Sequence, residues 1–173
     1  MAAKIEKEIR QMKDPGSAIT HFIGMLMALF AAVPIMIRAA SNPDRVHVIS
    51  LGIFLVSMVL LYAASTTYHW LDRSPRINRI LKKIDHMMIF VLIAGTYTPV
   101  CLIVLRGRTG YLLCALVWGI ALAGIILKAC WINCPKWFSS ALYIAMGWVC
   151  VLAFTQIINS LSPAAFGWLL AGG

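Results

Sequence analysis

Five stretches of this chain continue for about twenty residues or more with no more than one formally charged side chain, and their spacing constrains the fold more than any motif does. The first four cover 18–37, 46–71, 84–105 (containing Asp85) and 109–127, and the last lies in 137–173, which carries no charge at all. A bilayer core about 30 Å thick is crossed by roughly 20 helical residues. Lipid offers nothing to an unpaired N–H or C=O, so stretches of this length cross it as helices. The final tract is too long for one span and short for two, and Asn159, Ser160, Ser162 and Pro163 supply its break. The expected fold is all-α, a polytopic transmembrane helix bundle with a polar lead-in at 1–17. Its spans are about 18–40, 46–71, 84–105, 109–130, 137–159 and an incomplete sixth at 164–173.

Composition excludes the alternatives. Apolar residues make up 61% of the chain and charged ones 12%, with a mean hydropathy of +0.86. Soluble domains lie near 45–50% and about 25%. A net charge of +9 would suit nucleic acid only if the basic residues formed a face on a soluble domain. Here they lie in the breaks between apolar runs, which is the pattern of topology and headgroup contact. Cys101, Cys114, Cys130, Cys134 and Cys150 are odd in number, and the gap from Cys130 to Cys134 is one longer than in most zinc knuckles. They read as small packing residues. The pairs Gly119/Gly124 and Ala141/Ala145 read as helix contacts, and Trp70, Trp131 and Trp137 as interfacial anchors. The lead-in mixes Lys4, Lys7, Arg10 and Lys13 with Glu6, Glu8 and Asp14 and has no cleavage signature, so the first span is expected to stay in the membrane.

Ionisable groups inside apolar spans cost roughly 2.5–3.5 kcal/mol and therefore mark candidate sites. They are His21, His47, His69, Asp85 and His86. Ser65 and His69 are four residues apart near the end of the second span, on one helix face. The polar link 72–83 makes the second and third spans antiparallel neighbours, which places His69 and Asp85 at similar depth. An imidazole, a carboxylate and a hydroxyl one turn deeper suit a metal ion and its water. The plainer alternatives stand beside that reading. Asp85 can satisfy free amides at a helix start, and His69 can be an interfacial histidine. His86 points about 100° away from Asp85, His47 belongs to the opposite end, and His21 reads as a buried hydrogen-bonding partner of the cluster.

Three segments carry a resemblance. Ile19-Thr20-His21-Phe22-Ile23-Gly24, Ser65-Thr66-Thr67-Tyr68-His69-Trp70, and Ile84-Asp85-His86 followed by Ala94-Gly95-Thr96-Tyr97-Thr98-Pro99 resemble the bacterial hemolysin III family. That family belongs to the progestin and adipoQ receptor superfamily, which includes the adiponectin receptors. The resemblance implies a seven-helix bundle with the N-terminus inside, of which about five and a half helices are present. It implies zinc held by the histidine of Ser-x-x-x-His and by two histidines on the seventh helix, with an aspartate of the third helix on the zinc-bound water. Ser65, His69 and Asp85 occupy matching positions: His69 as metal ligand, Asp85 acting on the metal through water and in catalysis, and Ser65 in catalysis by orienting His69 or stabilising the developing oxyanion. No histidine follows His86, so the chain is either a piece of a longer protein, which its apolar ending at 168–173 favours, or a truncated member lacking the metal site, and zinc binding in it is expected to be weak or absent.

Three functions follow as expectations. The first is a zinc-dependent hydrolase of a membrane-lipid amide, similar to ceramidases, with membrane lipids as its partners. The second is a cytolytic pore-former, and the third a non-enzymatic sensor or regulator of the bilayer. The basic residues also predict orientation. With the N-terminus inside, eleven Lys and Arg face the cytoplasm (Lys4, Lys7, Arg10, Lys13, Arg73, Arg76, Arg79, Lys82, Lys83, Lys128, Lys136) against four outside (Arg38, Arg45, Arg106, Arg108). The expected location is the bacterial inner membrane. Reporter fusions after Arg76 and after Arg106 should report opposite sides, cytoplasmic at Arg76; a periplasmic signal there would refute the orientation.

Overall fold

The computed structural model describes residues 12–131 and 135–172. Five helical stretches in it are long and apolar enough to cross a membrane. Helix α1 is Pro15–Ala40, α2 Arg45–Trp70, α3 Pro75–Pro99 and α4 Gly107–Cys130. The fifth span is built from α5 (Lys136–Trp148), a 3₁₀ stretch at Val149–Ala153 and α6 (Phe154–Ser160), and α7 (Pro163–Gly172) follows. Successive helices α1 to α4 pack as antiparallel neighbours. Large apolar side chains such as Met27, Phe30, Leu152 and Trp168 point outward, as they do where the outer solvent is lipid.

Capping decides where these helices start. The Asp14 carboxylate accepts from Ser17 N–H at 3.4 Å and Ser17 Oγ at 2.7 Å, with Pro15 in the first turn of α1. Asp44 accepts from Val46 N–H at 3.0 Å to open α2. Ser74 accepts from Ile77 N–H at 3.4 Å, again with Pro75 at the helix start. Helix α3 thus begins nine residues before its apolar run, and the link from α2 shrinks to 71–74. Charge marks where the apolar layer begins, whereas Ser74 and Pro75 mark where the helix begins. The polar residues 75–83 are therefore helical turns extending beyond the span.

The other end of α3 widens. After Pro99, which brings no N–H to the ladder, Val100–Leu105 forms a π-helical turn. The chain then reverses through Arg106 (φ 46°) and Gly107 (φ 61°), and α4 starts at once. The left-handed backbone that glycine accepts freely is strained at arginine, and Arg106 is held there by three contacts. Its N–H donates to Cys101 O at 3.1 Å, its Nε donates to Ile103 O at 3.0 Å, and its guanidinium lies 3.6 Å from Asp44.

Inside the bundle, small residues set the spacing. Phe90, Ala94, Val117, Ala121 and Met146 form a fully buried cluster across α3, α4 and α5. Gly95 meets the Ser57 side chain, and a Cβ at Gly124 would lie 2.5 Å from the Phe90 ring. Gly119, paired with Gly124 in the sequence reading, has open space beside it; it lies on another face of α4. Tyr97 ties α3 to the fifth span. Its hydroxyl donates to Gly147 O at 2.6 Å and accepts from Cys150 N–H at 2.8 Å. A foreign group inserted into a helical ladder bends or tightens it, and the 3₁₀ stretch begins at this point.

Two substitutions test this packing. Gly124→Ala should destabilise the protein by about 1–3 kcal/mol through overpacking on Phe90, whereas Gly119→Ala should be neutral or mildly stabilising, read by thermal unfolding in detergent. Tyr97→Phe strips both ladder groups of their partner and should cost about 1–2 kcal/mol in the same assay.

Candidate functional site

The end of the bundle that carries the start of α1 gathers most of the intramembrane polar groups. Helix α2 ends there with Ser65, Thr66, Tyr68 and His69, and α3 enters with Asp85 and His86. Ser65 and Asp85 are buried, and the His69 side chain is about one-fifth exposed.

Ser65 and His69 share a face of α2, as their spacing requires, but they take different partners from α1. Ser65 Oγ and His21 Nδ1 are 2.5 Å apart and share one proton-bearing hydrogen bond. His69 Nδ1 lies 3.3 Å from the Asp14 carboxylate, and Asp14 N–H donates to His69 O at 3.1 Å. The two imidazoles meet edge-on with ring centroids 5.8 Å apart. His21 therefore joins the cluster as a hydrogen-bond partner, as expected, while Ser65 orients His21 rather than His69. The serine stem is short and reaches across to the helix packed against it, not up its own helix.

Asp14 is the member that sequence reasoning missed. It precedes the apolar run and looks like an ordinary helix cap, which it also is. A signal existed, since the antiparallel α1–α2 pairing puts the start of α1 beside the end of α2. Ser17's hydroxyl and then its N–H, both donating to the carboxylate, hold the Asp14 pKa below its ordinary 3.8, and His69 adds to the effect.

Asp85 stands apart from this pair of pairs. Its Oδ2 is 3.6 Å from His86 Nδ1, which also faces Lys82 O at 2.7 Å. His69 pairs with Asp14 and Asp85 with His86, so the described residues hold them as two pairs. His47, at the opposite end, has a buried Nδ1 without a hydrogen-bond partner among the described residues, and the same holds for Thr66 Oγ1 beside Ser65. Of the five cysteines, Cys101, Cys114, Cys130 and Cys150 are free thiols, and Cys134 lies outside the described residues.

This geometry limits the chemistry. A Ser-His-Asp relay needs one imidazole between hydroxyl and carboxylate, and here two imidazoles divide those contacts. A proton on Nδ1, facing Asp14, would leave the Nε2 lone pair of His69 as the donor to a metal. That is the usual outer-sphere arrangement of a metal-binding histidine. His69 fits one place in a metal site. Among the described residues no three His, Cys, Asp or Glu side chains gather closely enough to complete one.

Asp14 gives a pH-dependent prediction. A carboxyl with a lowered folded-state pKa stabilises the fold above its unfolded value and loses that contribution as pH falls through the folded one. Asp14→Ala should therefore lower the unfolding temperature at pH 7, and the gap to wild type should close as the buffer is taken below the ordinary carboxylate range. An unchanged gap at pH 3 would show that the ionised carboxylate contributes nothing.

Comparison with known proteins adds relatives. The chain matches the family described as Haemolysin-III related over residues 9–173. It is 41% identical over 161 residues to a "Hemolysin-3 homolog" of Bacillus subtilis (strain 168), covering 93% of this chain and 75% of that protein. It is 36% identical over 174 residues to "Hemolysin-3" of Bacillus cereus, covering 100% of this chain and 79% of that one.

Proposed function

Because the chain belongs to the Haemolysin-III related family, we propose that it acts as a zinc-dependent hydrolase on an amide bond of a membrane lipid. The observation that carries this reading is the Asp14–His69 pair, 3.3 Å apart, a carboxylate facing one ring nitrogen of a histidine that could hold the metal by the other. The protein would lie in the inner membrane of a bacterium with its N-terminus in the cytoplasm, where the basic residues are in excess.

In this reading His69 is one protein ligand, and the two further histidines are those that the resemblance implies on a seventh helix. Zinc, when bound, would supply Lewis acidity and a water whose pKa falls to about 7. Asp85, buried on α3, would take and hold the proton of the attacking water at its carboxylate. The Ser65–His21 pair would fix the α1–α2 spacing behind His69 and hold its hydroxyl where it can donate to the substrate carbonyl. A lipid amide would approach from between helices, since the cluster lies at the end of spans whose outer faces are apolar.

A cytolytic reading draws on the names of the relatives alone, and dye leakage from liposomes carrying the purified protein would favour it over hydrolysis.

Metal content tests the ligand assignment. Chain 1–173 should retain zinc weakly, because His69 and a water-mediated Asp85 leave the ion short of three protein ligands. A form extended by a segment with two histidines should hold about one zinc per chain. In that form His69→Ala should abolish retention, and Asp14→Asn should weaken zinc by about 10–100-fold. Asp85→Ala should keep the metal and lose lipid-amide turnover. Stoichiometric zinc in chain 1–173, by mass spectrometry, would overturn the assignment.

A further inference from the structure

Beside the histidine cluster, with Tyr68 and His86 in its lining, lies a cavity of about 760 Å³ between the extended start of α3, the end of α4 and the start of α5. Five cations line it: Lys13 ahead of α1, Arg79, Lys82 and Lys83 on α3, and Lys128 on α4. No carboxylate does so among the described residues. The neighbouring acids each have a partner, Asp72 with Asn78 Nδ2 at 2.8 Å and Asp85 with His86, both partners being in the lining, and Asp14 with Ser17 and His69. An excess of basic residues on one side serves topology wherever those residues sit along the links. It does not require cations from three separate elements to converge on one hollow.

Depth points to the occupant. Arg79, Lys82 and Lys83 belong to the polar helical turns 75–83, directly ahead of the apolar run that opens at Ile84. Phosphates of the bilayer lie at that boundary, and basic pockets between helices there take anionic headgroups. Trp131 at one edge and Ile89 at another add apolar surface to the same lining, and Ser139 and Ser140 add hydroxyls. The volume exceeds what a bare phosphate ion fills.

We propose that this cavity binds the phosphate-bearing headgroup of an anionic phospholipid, held by Arg79, Lys82, Lys83 and Lys128. Arg79 offers a planar fork for two phosphate oxygens, and the lysines serve as point charges. Lys83 is already positioned by donating to Ala129 O at 2.9 Å, and Lys13 lies over the Tyr68 ring with 3.7 Å to its centroid. The inference stands independently of the hydrolase reading.

Native mass spectrometry of the full chain, purified in detergent and offered equal amounts of cardiolipin, phosphatidylglycerol and phosphatidylcholine, tests it. The anionic lipids should be retained over phosphatidylcholine, and retention should fall as salt is raised. Arg79→Gln/Lys82→Gln/Lys83→Gln should lower that retention on the order of tenfold or more. Glutamine keeps a donor for Ala129 O, and an unchanged unfolding temperature would show that the variant is folded. Arg73→Gln/Arg76→Gln, which removes charge from the same end outside the cavity, should leave retention near wild type. Equal loss in the two variants, or no loss in the first, would overturn the proposal. Displacement of the lipid by millimolar inorganic phosphate, with the same dependence on Arg79, Lys82 and Lys83, would assign the cavity to a soluble anion and overturn the lipid assignment.

Discussion

The absence of hydrogen-bonding solvent along the spans governs most of what this chain does with its polar atoms. Ser50, Thr67, Thr96 and Thr98 each turn a hydroxyl back onto the carbonyl four residues earlier, at 2.6–2.9 Å. In water such contacts compete with solvent and are worth little; in lipid the alternative is an unpaired group. Trp118 Nε1–H, which donates to Thr98 Oγ1 at 3.1 Å, follows the same necessity.

That necessity also shapes the histidine cluster. Two imidazoles, a hydroxyl and a carboxylate lie at one end of α1 and α2, and each ring uses Nδ1 toward the neighbouring helix. Among the described residues Nδ1 of each ring thereby serves structure, and a ligand would be taken by Nε2. A site arranged this way separates what holds the helices together from what is available to a ligand. Asp85, on the next helix and paired with His86, contributes a carboxylate from a different element.

The fold class and the five spans were legible because lipid imposes them through length and charge alone, and the family through three short motifs. Helix starts were less legible. The residues 75–83 read as a link by charge, yet Ser74 and Pro75 begin a helix there. The candidates His69 and Asp85 were singled out by their cost in the bilayer, and Ser65 by its spacing from His69. Their partners were not, because Asp14 lies outside the apolar run and partner choice depends on which faces of α1 and α2 meet. The Tyr97 contact was illegible for a similar reason: nothing local to residues 147–150 marks a gap in a helix ladder that a distant hydroxyl will fill.

Tyr97 bears on how the bundle is made. By the time the fifth span leaves the ribosome, α3 is already in the membrane, with its tyrosine hydroxyl awaiting a partner. In the folded protein that hydroxyl joins the Gly147 carbonyl to the Cys150 amide, in place of a regular turn of the fifth span. Each segment completes the other, so the local geometry of the fifth span is set in part by a residue fifty positions earlier in the chain.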